Sequence, residues 1–136
     1  MTTTGPAGDG PADVELRIPA DSAYVSVLRT TSAGLAARQD FTLDDIEDLR
    51  MAVGEACALV LPEADEGSDM TCRFYMDPGL LTVVVAVSSA TASPPDQDGF
   101  AWQVLTTLAG DASASVEDGR YEIALTMHSG ARDVQG

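Results

Sequence analysis

Glu55 is the residue around which chemistry could be organised. The run from Asp44 to Leu61 places Ile46, Leu49, Val53, Ala56, Cys57 and Val60 on one stripe at helical spacing, which predicts an amphipathic helix. At roughly 100° per residue, Glu55, Leu59 and Ala52 fall together on a second face, small and apolar except for one carboxylate. Leu59 offers no oxygen to a metal ion. Glu55 by itself is an ordinary solvated helix carboxylate and not an active site. The other reactive side chains are fewer still. His128 closes the last predicted strand with no serine or cysteine nucleophile motif pointing to it, and reads as a surface histidine. Cys57 and Cys72 lie on predicted core faces without the clustered Cys/His partners of a zinc site, and read as small hydrophobes. No metal site is expected.

The elements that must position Glu55 follow from local pattern. Thr42 can cap the Glu55 helix, Asp45 can answer from three residues on, Phe41 can fold back onto Ile46, and Pro62 stops the helix. Upstream, a strand over Asp13 to Ile18 leads to a helix that Asp21 or Ser22 would cap, with Tyr24, Val27, Leu28, Thr31 and Leu35 on its inner side. Downstream, an acidic loop from Glu63 to Asp69 precedes a strand alternating Met70, Cys72, Phe74 and Met76. Asp77-Pro78-Gly79 is a turn, and Leu80 to Val87 is a nearly continuous apolar, β-branched run that predicts a central strand covered by helices on one face. A helix over Gly99 to Ala109 and a hairpin through Asp118-Gly119 complete the order.

Composition bounds the rest. With 136 residues, 45% of them hydrophobic, the chain makes one domain, read as residues 13–128, between tails at 1–12 and 129–136. No apolar run approaches the roughly 18 residues of a membrane span, and Met1 to Pro11 does not have the pattern of a signal peptide. A cytoplasmic location is expected. The net charge of −15, from 22 acidic residues against seven basic ones, repels a phosphate backbone, so no direct nucleic-acid binding is expected. The same field attracts a basic partner.

The segment Met51-Ala52-Val53-Gly54-Glu55-Ala56-Cys57-Ala58-Leu59 resembles the N-box helix of the anti-sigma regulatory factors, the RsbW/SpoIIAB-like serine-kinase branch of the histidine-kinase-type ATPase superfamily. The order strand, two helices, two strands, helix, two strands resembles that family across most of the chain. The resemblance implies an α/β (α+β) two-layer sandwich: a mixed, mostly antiparallel sheet covered on one face by three helices. In the family the glutamate is the proposed base for phosphoryl transfer, and an asparagine one turn later helps to hold magnesium. Glu55 matches the first and Leu59 departs from the second.

The other nucleotide boxes depart as well. An aspartate for adenine and spaced glycines normally follow the central strand, where this chain has Val87-Ser88-Ser89-Ala90-Thr91-Ala92-Ser93. The second glycine box survives as Gly99-Phe100-Ala101, one glycine where two are expected, and Ser88 to Asp98 leaves little room for a lid. Glu55, Leu59, Gly99 and Ala101 are thus the remnants of an ATP site. No cofactor is expected, with ATP and magnesium as the alternative.

Aligning Ile18 to Arg29 with the family's first helix places Arg29 on the arginine that contacts the sigma factor, with Val25 and Ser26 beside it. Ala23 and Val25 stand where the family has carboxylates. The resemblance implies a homodimeric anti-sigma factor, in stress or sporulation control, that sequesters an alternative sigma factor and is displaced by a STAS-domain anti-anti-sigma protein. Its alternative is an active serine/threonine kinase that phosphorylates that STAS partner with Glu55 as base. A third reading is a pseudo-ATPase whose apolar remnant pocket takes another ligand.

Overall fold

Turn and cap chemistry set the element boundaries close to where the sequence puts them. The computed structural model describes residues 10–130. In chain order the elements are β1 (Val14–Pro19), α1 (Val25–Arg38), α2 (Leu43–Val60), β2 (Asp69–Asp77), β3 (Leu80–Ser88), α3 (Phe100–Leu108), β4 (Asp111–Glu117) and β5 (Arg120–His128). Short 3₁₀ turns at Ser22–Tyr24 and Leu61–Glu63 flank the first two helices. Gly79 (φ 71°) closes the β2–β3 turn, while Asp118 and Gly119 (φ 52° and 75°) take the paired left-handed conformations of a two-residue hairpin.

The capping box forms as expected. The Asp45 N–H donates to the Thr42 hydroxyl at 3.1 Å, and the Thr42 N–H donates back to the Asp45 carboxylate at 3.1 Å. Asp21 caps the 3₁₀ turn by accepting from the Ala23 N–H at 2.9 Å, whereas α1 itself starts at Tyr24 without a side-chain cap.

The five strands form one sheet in the order β1-β2-β3-β5-β4. All four ladders are antiparallel, which corrects the expectation of a mixed sheet. The reason is the hairpin. The connection through α3 returns β4 in the direction of β3, but β5 folds back between the two, so the parallel pair never becomes neighbours. Met70, Cys72 and Phe74 of β2, Leu81, Val83 and Val85 of β3, and Tyr121, Ile123 and Leu125 of β5 are buried beneath the helices.

The inner side of α1 is narrower than its pattern suggests. Leu28, Ser32 and Ala36 are buried, whereas Tyr24 and Val27 are each 42% exposed. Ser32 and Ala36, small and one turn apart, let α1 lie close along α2, and the Ser32 hydroxyl is satisfied by donating to the Leu28 carbonyl at 2.8 Å.

β3 is buried on both faces from Leu81 to Val87, although helices cover only one. On the other face Arg73 and Glu122 pair at 3.2 Å from the strands that flank it, and Arg120 joins Glu122 at 2.6 Å. Their long side chains roof Val84 and Ala86.

Ser129 and Gly130, assigned to the C-terminal tail by the sequence, are tied to the domain. Ser129 is buried, its N–H donates to the Gly79 carbonyl at 2.9 Å, and its hydroxyl donates to the Asp40 carbonyl at 3.2 Å. The Gly130 N–H then donates to the Asp45 carboxylate at 2.6 Å. Positions 1–9 and 131–136 of the expected tails lie outside the described residues.

Asp45 therefore serves the start of α2 and the end of the chain together. Burial raises its pKa, but the Gly130 and Thr42 bonds outweigh this and hold it below the usual 3.8. A carboxylate depressed on folding contributes stability that is present above about pH 4 and lost as pH falls through the folded-state value. Asp45→Asn should cost about 1 kcal/mol at neutral pH, the scale of a lost cap. Urea unfolding against pH checks this: the gap to the native chain should narrow below the unfolded value of 3.8.

Candidate functional site

The helix layer presents two regions that bear on function, one between α2 and α3 and one between α1 and α2. Glu55 and Leu59 lie on the α2 face expected of them, both half-buried, with Leu59 packed against the core. Ala52 does not share that face with them, being 0% exposed within the core. The apolar second face is thus the rim of the buried stripe. Among the described residues no hydrogen bond or ion pair engages the Glu55 carboxylate.

Helix α3 packs beside α2 with Gly99 as its N-cap and Ala101 half-buried in its first turn. The glycine is explained by local geometry. The Gly99 N–H donates to the Asp96 carbonyl at 2.9 Å, the Asp98 N–H donates to the Asp96 carboxylate at 2.9 Å, and a Cβ at position 99 would meet the Asp96 carbonyl at 3.0 Å. This closed turn brings two carboxylates to the start of α3, where they complement the helix dipole and oppose a bound phosphate.

At the top of β3, the sequence Ser88-Ser89 is tied to the acidic loop. The Asp65 N–H donates to the Ser88 carbonyl at 2.8 Å, and the Asp65 carboxylate accepts from the Ala90 N–H at 3.0 Å. Ser89 is 2% exposed, and its hydroxyl has no partner among the described residues. Sequence reasoning missed Asp65, whose role depends on a contact between loops 25 residues apart.

The second region holds the residues aligned with the docking helix. Val25, Ser26 and Arg29 of α1 line a cavity of about 320 Å³ together with Gly54 and Cys57 of α2. Arg29 is half-buried, and among the described residues it forms no ion pair. Its guanidinium lies edge-on to Gly54: a Cβ there would stand 2.6 Å from Nη2 and 3.1 Å from Nε. Burial pushes the Cys57 thiol up to about 12, and the positive charge of Arg29 offsets this only in part. Gly54 and Cys57 were absent from the expected docking set. A glycine inside a strong helix, where it costs stability, is the signal that marks one of them.

No family model matches the chain. Over 76 residues it is 41% identical to a serine-protein kinase RsbW of Halalkalibacterium halodurans, an alignment that covers 55% of this chain and 47% of the relative. The RsbW of Bacillus subtilis is 38% identical over 76 residues. Over this stretch the chain is similar to the RsbW serine-protein kinases. It spans about half the length of the curated relatives it matches.

A solved structure of the RsbU and RsbW domains of a Mycobacterium tuberculosis protein superposes with a TM-score of 0.64 at 12% identity, covering 85% of this chain and 31% of the other. That likeness shows the fold: the two-layer sandwich expected from the resemblance is the architecture of an RsbW domain. Among the described residues, no helix is long and apolar enough to cross a membrane.

The thiols supply a check on the packing between α1 and α2. Cys57 and Cys72 are free, 1% and 0% exposed, and both pushed up to about 12 by burial. At pH 8 a thiol with that pKa is thiolate in about one molecule in ten thousand. Ellman's reagent should therefore leave both unmodified in the native chain and titrate both once denaturant is added.

Proposed function

We propose that this chain acts as an anti-sigma factor, occupying a surface of an alternative sigma factor and yielding it to a STAS-domain antagonist. The observation that carries the reading is Arg29. It is a half-buried cation without an ion-pair partner among the described residues, at the wall of a cavity that Val25 and Ser26 also line. A guanidinium can donate two N–H bonds to a partner carboxylate in a bidentate pair. The net charge of −15 supports a partner with basic surfaces, as a DNA-binding sigma factor has.

In this reading the chain binds without productive phosphoryl transfer. Leu59 gives magnesium no ligand, Ser88 and Ser89 stand where an adenine aspartate is expected, and Asp96 and Asp98 place negative charge at the start of α3. The second reading is a serine/threonine kinase acting on the STAS protein with Glu55 as its base. It is favoured by the name of the relatives and by the retained Glu55. A homodimer belongs to the same proposal.

Affinity capture on the full chain, followed by titration with the purified sigma factor it retains, tests the first reading. Arg29→Ala should weaken the complex at least about tenfold, since a hydrogen bond to a charged group is worth about 1.5–3 kcal/mol. Glu55→Gln should leave it unchanged. Transfer of radiolabelled phosphate from ATP to the STAS protein, lost in Glu55→Gln, would replace the binder with the kinase. Acidic steering has its own measure: raising salt from about 50 to 200 mM should slow association several-fold by stopped flow.

A further inference from the structure

Gly54 occupies the middle of α2, immediately before Glu55, in a helix whose other inner positions are filled by side chains. A glycine inside a helix costs about 0.5–1 kcal/mol relative to alanine. Gly34 in α1 is also inside a helix, and the surroundings of the two glycines differ. At Gly34 a Cβ would meet nothing within 4 Å. At Gly54 a Cβ would stand 2.6 Å from Nη2 of Arg29, 3.1 Å from Nε and 3.3 Å from Cζ. With Nη2 and Nε nearer than Cζ, the Nε–Nη2 edge of the guanidinium is turned to the bare backbone of α2. The delocalised, weakly hydrated guanidinium suits such a seat better than a compact ammonium would.

We infer that Gly54 is a positioning residue, whose missing side chain seats the Arg29 guanidinium against α2 and so presets the cation that meets the partner. The inference rests on the reading of Arg29 as the docking residue, and it extends the site from α1 onto the helix that carries Glu55. The seat holds a long side chain in one place before binding, so less freedom is lost when a partner carboxylate arrives. Packing, not a charge pair, holds the side chain there. Among the described residues Arg29 has no carboxylate within ion-pair distance, and its guanidinium rests against Gly54. Alanine at position 54 requires no unusual backbone angle and meets only the end of a flexible side chain. The variant therefore folds, with Arg29 displaced toward solvent.

The experiment compares Gly54→Ala with Gly34→Ala in the full chain. Both should keep or raise the melting temperature through helix propensity. The Arg29 Nε–H resonance, assigned with Arg29→Lys, reports the seat without any partner. It should move to the position of a free arginine in Gly54→Ala and stay in place in Gly34→Ala. Titration with the purified sigma factor should show Gly54→Ala about three- to tenfold weaker and Gly34→Ala unchanged. Arg29→Ala combined with Gly54→Ala should be no weaker than Arg29→Ala alone.

An unmoved Arg29 resonance in Gly54→Ala would overturn the seat, whatever the partner. A moved resonance with unweakened binding, where Arg29→Ala does weaken it, would overturn the presetting role. Binding that survives Arg29→Ala would instead sink the docking reading of Arg29, and the resonance shift would still report the seat.

Discussion

Burial of the inner face of α2 is the constraint on which the rest of the molecule depends. Leu49, Ala52, Val53, Ala56 and Val60 are all 0% exposed, and the helix packs against α1, α3, β3 and β5. Fully burying a side chain such as leucine or valine is worth about 1.5–3 kcal/mol. This stripe therefore fixes the rotation of α2 about its axis. Once that rotation is set, Glu55 and Leu59 are turned to one rim, and Gly54 is turned to the other, toward α1. Glu55 and the glycine that faces the Arg29 guanidinium are thus adjacent residues on opposite sides of one buried stripe.

The ends of that helix are held differently. At its start, Asp45 takes bonds from the Thr42 and Gly130 N–H groups, so the first turn of α2 is tied to the segment after β5. Its far end runs into a 3₁₀ turn containing Pro62 and then the acidic loop, whose Asp65 holds the segment after β3. Two carboxylates that a composition count assigns to the solvated surface are thus structural ties. Both keep their negative charge while they accept these N–H bonds.

That distribution accounts for the contrast between the two regions of the helix layer. Near the start of α3 the local groups are Asp96, Asp98 and a glycine required by its own turn. Near the start of α1 the local group is a cation with space beside it.

Short-range physics made much of this legible in the sequence. The stripe of α2, the Thr42–Asp45 capping box, the left-handed pair Asp118-Gly119 and the apolar run of β3 each depend on residues a few positions apart, and each appears where it was expected. The N-box resemblance likewise lies in one continuous segment. What the tertiary structure decided depends on residues far apart in the chain. Examples are the insertion of β5 between β3 and β4, the roofing of Val84 by Arg73 and Glu122, the Asp45–Gly130 tie and the Arg29–Gly54 seat. Ala52 marks the boundary between the two, because helical spacing gives its angle but only the packed neighbours determine how far around the helix the core extends. Periodicity is a property of one segment, whereas a contact belongs to two, and the sequence alone does not say which segments meet.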